Sequence, residues 1–119
     1  MGTLDERKER IGKNEALFRA VNERVAELEA SESELEAGSR APESIEILCE
    51  CGERDCVEQI SLTLAEYERL REHSAHFAVI QGHEKPIAED VVASTDRYHV
   101  VQKHAGGPMK LAAETDPRR

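Results

Sequence analysis

All three cysteines of this 119-residue chain fall within eight consecutive residues, in the segment Cys49-Glu-Cys51-Gly-Glu-Arg-Asp-Cys56. This C-x-C-x₄-C cluster holds three thiols in one short loop, so the rest of the fold must be built around that loop. In a reducing compartment such a cluster is typical of a metal-binding or redox-active site rather than of a disulfide framework. Gly52 follows the second cysteine and favours a tight knuckle whose backbone amides turn toward the sulfurs.

Acidic side chains surround the cysteines, and a single arginine opposes them. Acidic neighbours raise the pKa of a thiol, so this setting disfavours a free thiolate nucleophile. A divalent cation reverses that relation, because it keeps its thiol ligands deprotonated and supplies the missing positive charge. We therefore predict bound Zn²⁺, with unliganded structural cysteines and thiol redox chemistry as the alternatives. The charged residues are Glu46, Glu50, Glu53, Asp55 and Glu58 against Arg54.

Three thiolates need a fourth ligand to complete a tetrahedral structural site. His83 is the first candidate, because it follows a predicted strand at the Gly82 turn, and Glu84 beside it is placed to orient the imidazole. The predicted metal ligands are thus Cys49, Cys51, Cys56 and His83. The same donor set also suits iron or an iron–sulfur cluster. The alternative fourth ligands are His73, His76, His99 and His104.

Residues 1–36 predict one long amphipathic helix. So narrow an apolar stripe cannot stabilise an isolated helix, which must pack on its own domain, on a copy of itself or on another protein. Asn14 occupies one d position, where a buried Asn fixes the register and oligomeric state of a coiled coil. Packing within the chain and self-association are equal alternatives here. The apolar residues at heptad a and d positions are Leu4, Ile11, Phe18, Val21, Val25 and Leu28.

The remaining residues predict a linker over 37–43, a small domain over 44–104 and a flexible tail over 105–119. The domain contains every cysteine and histidine of the chain. Short apolar runs bounded by Gly, Pro and polar turns predict five strands, and the Thr63–Glu66 capping box predicts a helix from Leu64 to His73. The expected fold class is therefore α+β: a long N-terminal helix and a small mixed or antiparallel sheet with one helix. The predicted strands involve residues 45–49, 57–62, 77–80, 91–92 and 98–101. Bound zinc would help so small a core, since structural zinc contributes on the order of 10 kcal/mol to folding.

Charge and hydropathy exclude two classes of partner. Sixteen basic against twenty-five acidic residues give a formal charge of −9, whereas nucleic acids and anionic lipid surfaces both attract a basic face. No apolar run approaches the roughly 18 residues of a membrane span, and the N-terminal residues lack a signal-peptide pattern. We therefore expect a cytoplasmic protein that binds neither nucleic acid nor membrane.

Several segments together resemble a family of small, uncharacterised actinobacterial proteins. In that family a Pro is expected before the Gly-His-Glu motif, where this chain has Gln81. The resemblance implies a bacterial cytosolic protein whose cysteine cluster and His83 form one site, and it implies no activity. The segments that carry it are 10–24, Leu48-Cys-Glu-Cys-Gly52, Ser61-Leu-Thr-Leu-Ala-Glu-Tyr67-Glu, and Gly82-His83-Glu84 with Pro86.

These features favour a non-catalytic zinc-binding module that contacts a protein through its N-terminal helix. The chain has no Gly-rich phosphate loop, no G-x-S-x-G and no H-E-x-x-H motif. A thiol- or metal-based sensor is the alternative, in which oxidation or loss of the metal unfolds the cysteine loop. A zinc-dependent hydrolase with Glu84 or Glu50 as base ranks third, because it requires an open coordination position.

Overall fold

The computed structural model describes residues 3–35 and 44–118 and confirms the α+β class. The predicted linker over 37–43 lies outside the described residues. The elements in chain order are α1 (Leu4–Leu35), β1 (Ile45–Leu48), β2 (Gln59–Leu62), α2 (Leu64–Arg71), β3 (His76–Val79), β4 (Glu89–Ser94), β5 (His99–Lys103) and α3 (Gly107–Glu114).

The strands form two antiparallel sheets rather than one. Strands β1 and β2 pair as a hairpin with Ile47 opposite Ile60, and the second sheet has the order β3-β5-β4. The cysteine loop joins the two sheets, because the Glu50 amide donates to the Ala78 carbonyl at 2.8 Å while the Cys49 amide donates to the Glu58 carbonyl at 2.9 Å. The backbone that carries the cysteines therefore lies at the junction of the sheets.

Helix α2 begins where its capping box predicts. The Glu66 amide donates to Thr63 Oγ1 at 3.0 Å, and the Thr63 amide donates to Glu66 Oε1 at 3.1 Å, so two amides at the start of the helix are satisfied. The hydrophobic core consists mainly of apolar side chains from both sheets and from α2. Its largest members are Ile45, Ile47, Ile60, Leu62, Tyr67, Leu70, Phe77, Val79, Tyr98 and Val101.

Helix α1 packs on this core through a largely polar face. Glu15, Arg19 and Asn22 are at most 1% exposed and lie between the buried Ile11 and Ala26. The spacing of these five residues follows the helical repeat, so they form one continuous face. The heptad stripe predicted from the sequence is divided: Ile11 belongs to the buried face, Phe18 and Val25 are half-buried, and Leu4, Val21 and Leu28 are exposed.

A third helix, α3, lies within the segment predicted as a tail. Its Ala112 is buried, and the Arg19 guanidinium of α1 donates from Nη2 to the Ala112 carbonyl at 2.7 Å and to Thr115 Oγ1 at 3.1 Å. The second guanidinium nitrogen, Nη1, donates to the Ser74 carbonyl at 2.6 Å. One arginine thus fastens the C-terminal helix to the rest of the fold. Across residues 3–35 and 44–118, no helix is both long and apolar enough to cross a membrane.

Candidate metal centre

The structure brings the four predicted ligands together. One donor atom from each of Cys49, Cys51, Cys56 and His83 lies within 4.8 Å of all the others. His83 Nδ1 lies 3.6 Å from Cys49 Sγ and 3.7 Å from Cys56 Sγ. Zinc bond lengths of about 2.3 Å to sulfur and 2.0–2.1 Å to nitrogen place tetrahedral S···N pairs about 3.5 Å apart. The donor separations therefore fit a tetrahedral ion of zinc size.

The cysteine loop is shaped by one turn and one glycine. The Cys56 amide donates to the Glu53 carbonyl at 3.1 Å, which folds the third cysteine back toward the first two. Gly52 has a φ of +81°, in the left-handed region that favours glycine. A Cβ at this position would lie 2.8 Å from Ile11 Cγ2 and 3.2 Å from Glu15 Cγ. The knuckle therefore lies directly against α1.

The loop that carries His83 leaves the end of β3 and is tied to the cysteine loop. The His83 amide donates to the Ile80 carbonyl at 2.9 Å, and the Ile80 amide donates to Cys49 Sγ at 3.2 Å. Lys85 Nζ also lies 2.7 Å from Glu53 Oε1, an ion pair that links the two loops at the surface. The two ligand loops are therefore joined by the Ile80–Cys49 hydrogen bond in the interior and by the Lys85–Glu53 ion pair at the surface.

The other histidines are engaged elsewhere. His73 and His76 stack with ring centroids 4.0 Å apart, and His104 Nε2 lies 3.3 Å from Asp90 Oδ1. His99 Nδ1 lies 3.3 Å from Glu84 Oε1, which also accepts from the Gly82 amide at 2.9 Å. These contacts engage Glu84 with His99 and Gly82 rather than with His83, the residue that the sequence predicts it to orient.

Helix α1 fastens the cysteine loop through two asparagines. Asn14 Nδ2 donates to the Gly52 carbonyl at 3.0 Å, so Asn14 makes a hydrogen bond within its own chain. Asn22 exchanges two hydrogen bonds with the backbone of Leu48, donating to its carbonyl at 2.9 Å and accepting from its amide at 2.8 Å. The loop is thus held on both sides of Cys49 and Cys51.

A buried ionic cluster fastens the His83 loop to the same helix. Lys103 Nζ lies 2.6 Å from Glu15 Oε1 and 2.9 Å from Glu89 Oε1, and all three side chains are almost fully buried. Glu89 in turn accepts from the Lys85 amide at 2.9 Å. Burial raises the pKa of Glu15, and the nearby Glu89 carboxylate raises it further. Helix α1 therefore holds the cysteine loop directly and the His83 loop through Lys103 and Glu89, and of the α1 side chains involved only Asn14 stood out in the sequence.

Glu50, between two of the cysteines, belongs to a buried ion pair. Its Oε1 accepts from Arg71 Nη2 at 2.6 Å and from the Ala78 amide at 3.0 Å, and its Oε2 accepts from Asn22 Nδ2 at 2.8 Å. Both charged side chains are at most 2% exposed. These contacts make Glu50 a structural group and leave it poorly suited to act as a general base.

The pKa values of the three thiols are shifted in different directions. A hydrogen bond donated by the Cys49 thiol lowers the pKa of Cys51 to about 5. The pKa of Cys49 is raised by that hydrogen bond and by burial, and burial raises the pKa of Cys56. A bound divalent cation keeps its thiol ligands deprotonated, so binding at these thiols would release protons.

The two halves of the site differ in exposure. Cys49 and Cys51 are almost fully buried, whereas Cys56 and His83 are half-buried. The latter two line an open groove of about 410 Å³, which is also lined by Glu53, Asp55, Glu58 and Lys85. Solvent therefore reaches the site at Cys56 and His83.

No family model, curated protein or solved structure matches this chain. The resemblance to the actinobacterial family therefore stays a prediction that rests on the segments named above.

Proposed function

We propose that this protein is a non-catalytic metal-binding module in which Cys49, Cys51, Cys56 and His83 hold one Zn²⁺. The observation that carries the proposal is the convergence of these four donor atoms within 4.8 Å. Three sulfurs and one imidazole nitrogen fill a tetrahedral shell, and a structural zinc site is closed in this way. The engagement of Glu50 with Arg71, and of Glu84 with His99, supports a structural rather than hydrolytic site.

The role of such a metal follows from what its ligand loops contact. The cysteine loop joins the two sheets, and both ligand loops are tied to α1. A cation that joins the four donors would therefore hold both sheets and the long helix in one arrangement. It would also supply stability that a core of this size lacks.

A matched pair of histidine variants tests the site. His83→Ala removes one proposed ligand, whereas His104→Ala removes a half-buried imidazole that lies outside the site, 3.3 Å from the exposed Asp90. Titration with Co²⁺ should give the intense visible bands of tetrahedral thiolate coordination in the wild type and in His104→Ala. His83→Ala should bind at least about tenfold more weakly, as expected for a lost ligand. Equal binding by His83→Ala and the wild type would contradict the proposed ligand set.

We further propose that the exposed side of α1 is the contact surface and that a second copy of this chain occupies it. Leu17, Val21 and Leu28 lie on that side and are 41–60% exposed. Apart from the buried Glu15 and Arg19, residues 4–19 carry four basic and three acidic side chains, whereas residues 20–35 carry one basic and five acidic. An antiparallel pair centred near Val21 would set each weakly basic half against an acidic half, while a parallel pair would set acidic against acidic.

The oligomeric state tests this surface. Val21→Glu would place two carboxylates near the two-fold axis and should convert a dimer to a monomer in light scattering. Val92→Glu, the same substitution at a half-exposed position on β4, should leave the dimer intact. A wild-type chain that is monomeric at high concentration, or a dimer that Val21→Glu leaves unchanged, would overturn the proposed self-association.

A further inference from the structure

The exposure of the three sulfurs differs. Cys49 and Cys51 are 1% and 0% exposed, and neither borders the open groove. Cys56 is half-buried and lines that groove together with His83. A small reagent from solvent therefore meets the sulfur of Cys56 before it meets either of the others.

The segment around Cys56 is also the most exposed part of the cluster. Val57, its neighbour, is 82% exposed, and the Cys56 amide bonds within the loop to Glu53. The sulfur of Cys49, by contrast, is buried and accepts from the Ile80 amide. The Cys51 and Cys56 sulfurs lie within 4.8 Å of each other. A shift of the outer loop by a few ångströms therefore brings these two sulfurs to the S–S bonding distance of about 2.05 Å.

Resting on the proposed metal site, we infer that Cys56 is an oxidation site at which a hydroperoxide triggers a Cys51–Cys56 disulfide and release of the metal. Three carboxylates and the Lys85 ammonium line the groove and leave it net acidic, which disfavours anionic oxidants and favours an uncharged hydroperoxide as the reagent. The metal keeps Cys56 as a thiolate, which is the form that peroxides oxidise.

The reaction balances with two sulfurs and one peroxide. The Cys56 thiolate attacks one peroxide oxygen, the O–O bond breaks, and a proton from water completes a sulfenic acid and an alcohol, or water when the oxidant is hydrogen peroxide. The Cys51 thiolate then attacks the oxidised sulfur, so that the S–S bond forms, the S–O bond breaks and the departing hydroxide takes up a proton as water. The two sulfurs lose two electrons in total, and the peroxide gains them.

Loss of Cys51 and Cys56 as donors would leave Cys49 and His83 as the only two of the four proposed ligands able to hold a cation. Such a site binds zinc far more weakly than a Cys₃His site, so the ion dissociates. The disulfide also redirects the knuckle at Gly52, whose carbonyl accepts from Asn14 and whose backbone lies against Ile11. Oxidation at the groove is thereby transmitted to the packing of α1.

The experiment treats zinc-loaded protein with hydrogen peroxide and follows three signals: zinc captured by a chromogenic chelator, intact mass, and a peptide map of the disulfide. One zinc per chain should appear in solution as the mass falls by two hydrogens, and the map should link Cys51 to Cys56. A map that links Cys49 to Cys51 and leaves Cys56 reduced would overturn the inference. Zinc that stays bound at peroxide concentrations that oxidise a small-molecule thiol would also overturn it.

Two ligand-retaining variants sharpen the assignment. Cys56→His keeps a nitrogen donor without the reactive sulfur and should slow zinc release at least about tenfold, because the accessible thiolate is gone. His104→Ala leaves all four proposed ligands in place and should release zinc at the wild-type rate. Slow release by His104→Ala as well would contradict the assignment to Cys56. A preparation that never binds zinc would refute the proposed metal site, whereas a zinc-loaded preparation that reacts elsewhere would refute only the oxidation site.

Discussion

The buried ion pair between Glu50 and Arg71 allows a sharp test of how the cysteine loop is held. In Glu50→Gln the side chain keeps its size and loses its charge. One carboxylate oxygen of Glu50 accepts from Arg71 and the Ala78 amide, and the other accepts from Asn22 Nδ2. Every one of these partners is a donor. Whichever way the new amide is turned, its NH₂ group therefore faces a donor at about hydrogen-bond distance.

The magnitude follows from burial. The two charged side chains are at most 2% exposed, and Nε and Nη1 of Arg71 have no hydrogen-bond partner among the described residues. Removal of one partner of a buried ion pair typically costs about 3–5 kcal/mol, because the other charge stays buried and uncompensated. A domain of this size has a total stability of about 5–15 kcal/mol, so the variant should lose a large share of it. The melting temperature should fall by at least about 10 °C.

The assay is urea denaturation of zinc-saturated protein, followed by circular dichroism. Glu46→Gln is the matched control, since it makes the same exchange at an exposed position of β1 and should change stability by less than about 0.5 kcal/mol. The double variant Glu50→Gln/Arg71→Gln should be less destabilised than the sum of the single variants. A loss below about 1 kcal/mol in Glu50→Gln would refute the reasoning.

Three further changes probe other contacts. Gly52→Ala should destabilise the protein by about 2–4 kcal/mol, because the residue keeps a left-handed φ and its Cβ would lie 2.8 Å from Ile11 Cγ2; an unchanged urea midpoint would show that the knuckle does not lie against α1. A hydrogen bond from Tyr98 lowers the pKa of Glu66 to about 2 from its ordinary value of 4.5. Because this carboxyl has a lowered pKa in the folded state, its stabilisation is present above about pH 4.5 and is lost as the pH falls toward 2. The melting temperatures of wild type and Tyr98→Phe should therefore differ near neutral pH and converge in acid, and a constant difference would contradict the assignment. Arg19→Lys should lower the free energy of unfolding by about 2–4 kcal/mol, because one ammonium group cannot replace a guanidinium that donates to two carbonyls and a hydroxyl. The variant should also lose α3 to a protease earlier than the wild type does, and wild-type resistance of α3 would contradict the anchoring role of Arg19.

The five strands and α2 were predictable because each carries a local signal. The capping box marks the start of α2, and short apolar runs between Gly, Pro and polar turns mark the strands. The metal centre was predictable for a similar reason, since three cysteines lie in one loop and His83 follows a strand at a glycine turn. The division of the strands into two sheets was not, because pairing depends on long-range contacts at the cysteine loop.

The face that α1 presents to its own domain could not be identified from the sequence. Glu15, Arg19 and Asn22 are residue types that usually lie on the solvent side of a helix, and the apolar heptad pattern predicted a different packing face. Their partners, such as Lys103 for Glu15, lie far away along the chain. Only the three-dimensional fold shows that these charges meet in its interior. The third helix was predicted as a tail for a related reason, because a contact from Arg19 anchors it.

The most direct test of the account is native mass spectrometry of freshly purified protein, with elemental analysis of the same sample. The account predicts one zinc ion for each chain. Removal of that ion by a chelator should abolish the cooperative unfolding transition. The same spectrum reports whether the chain is a dimer. A metal-free chain with three reduced thiols, whose unfolding is unaffected by added zinc or by chelator, would contradict the proposed metal centre.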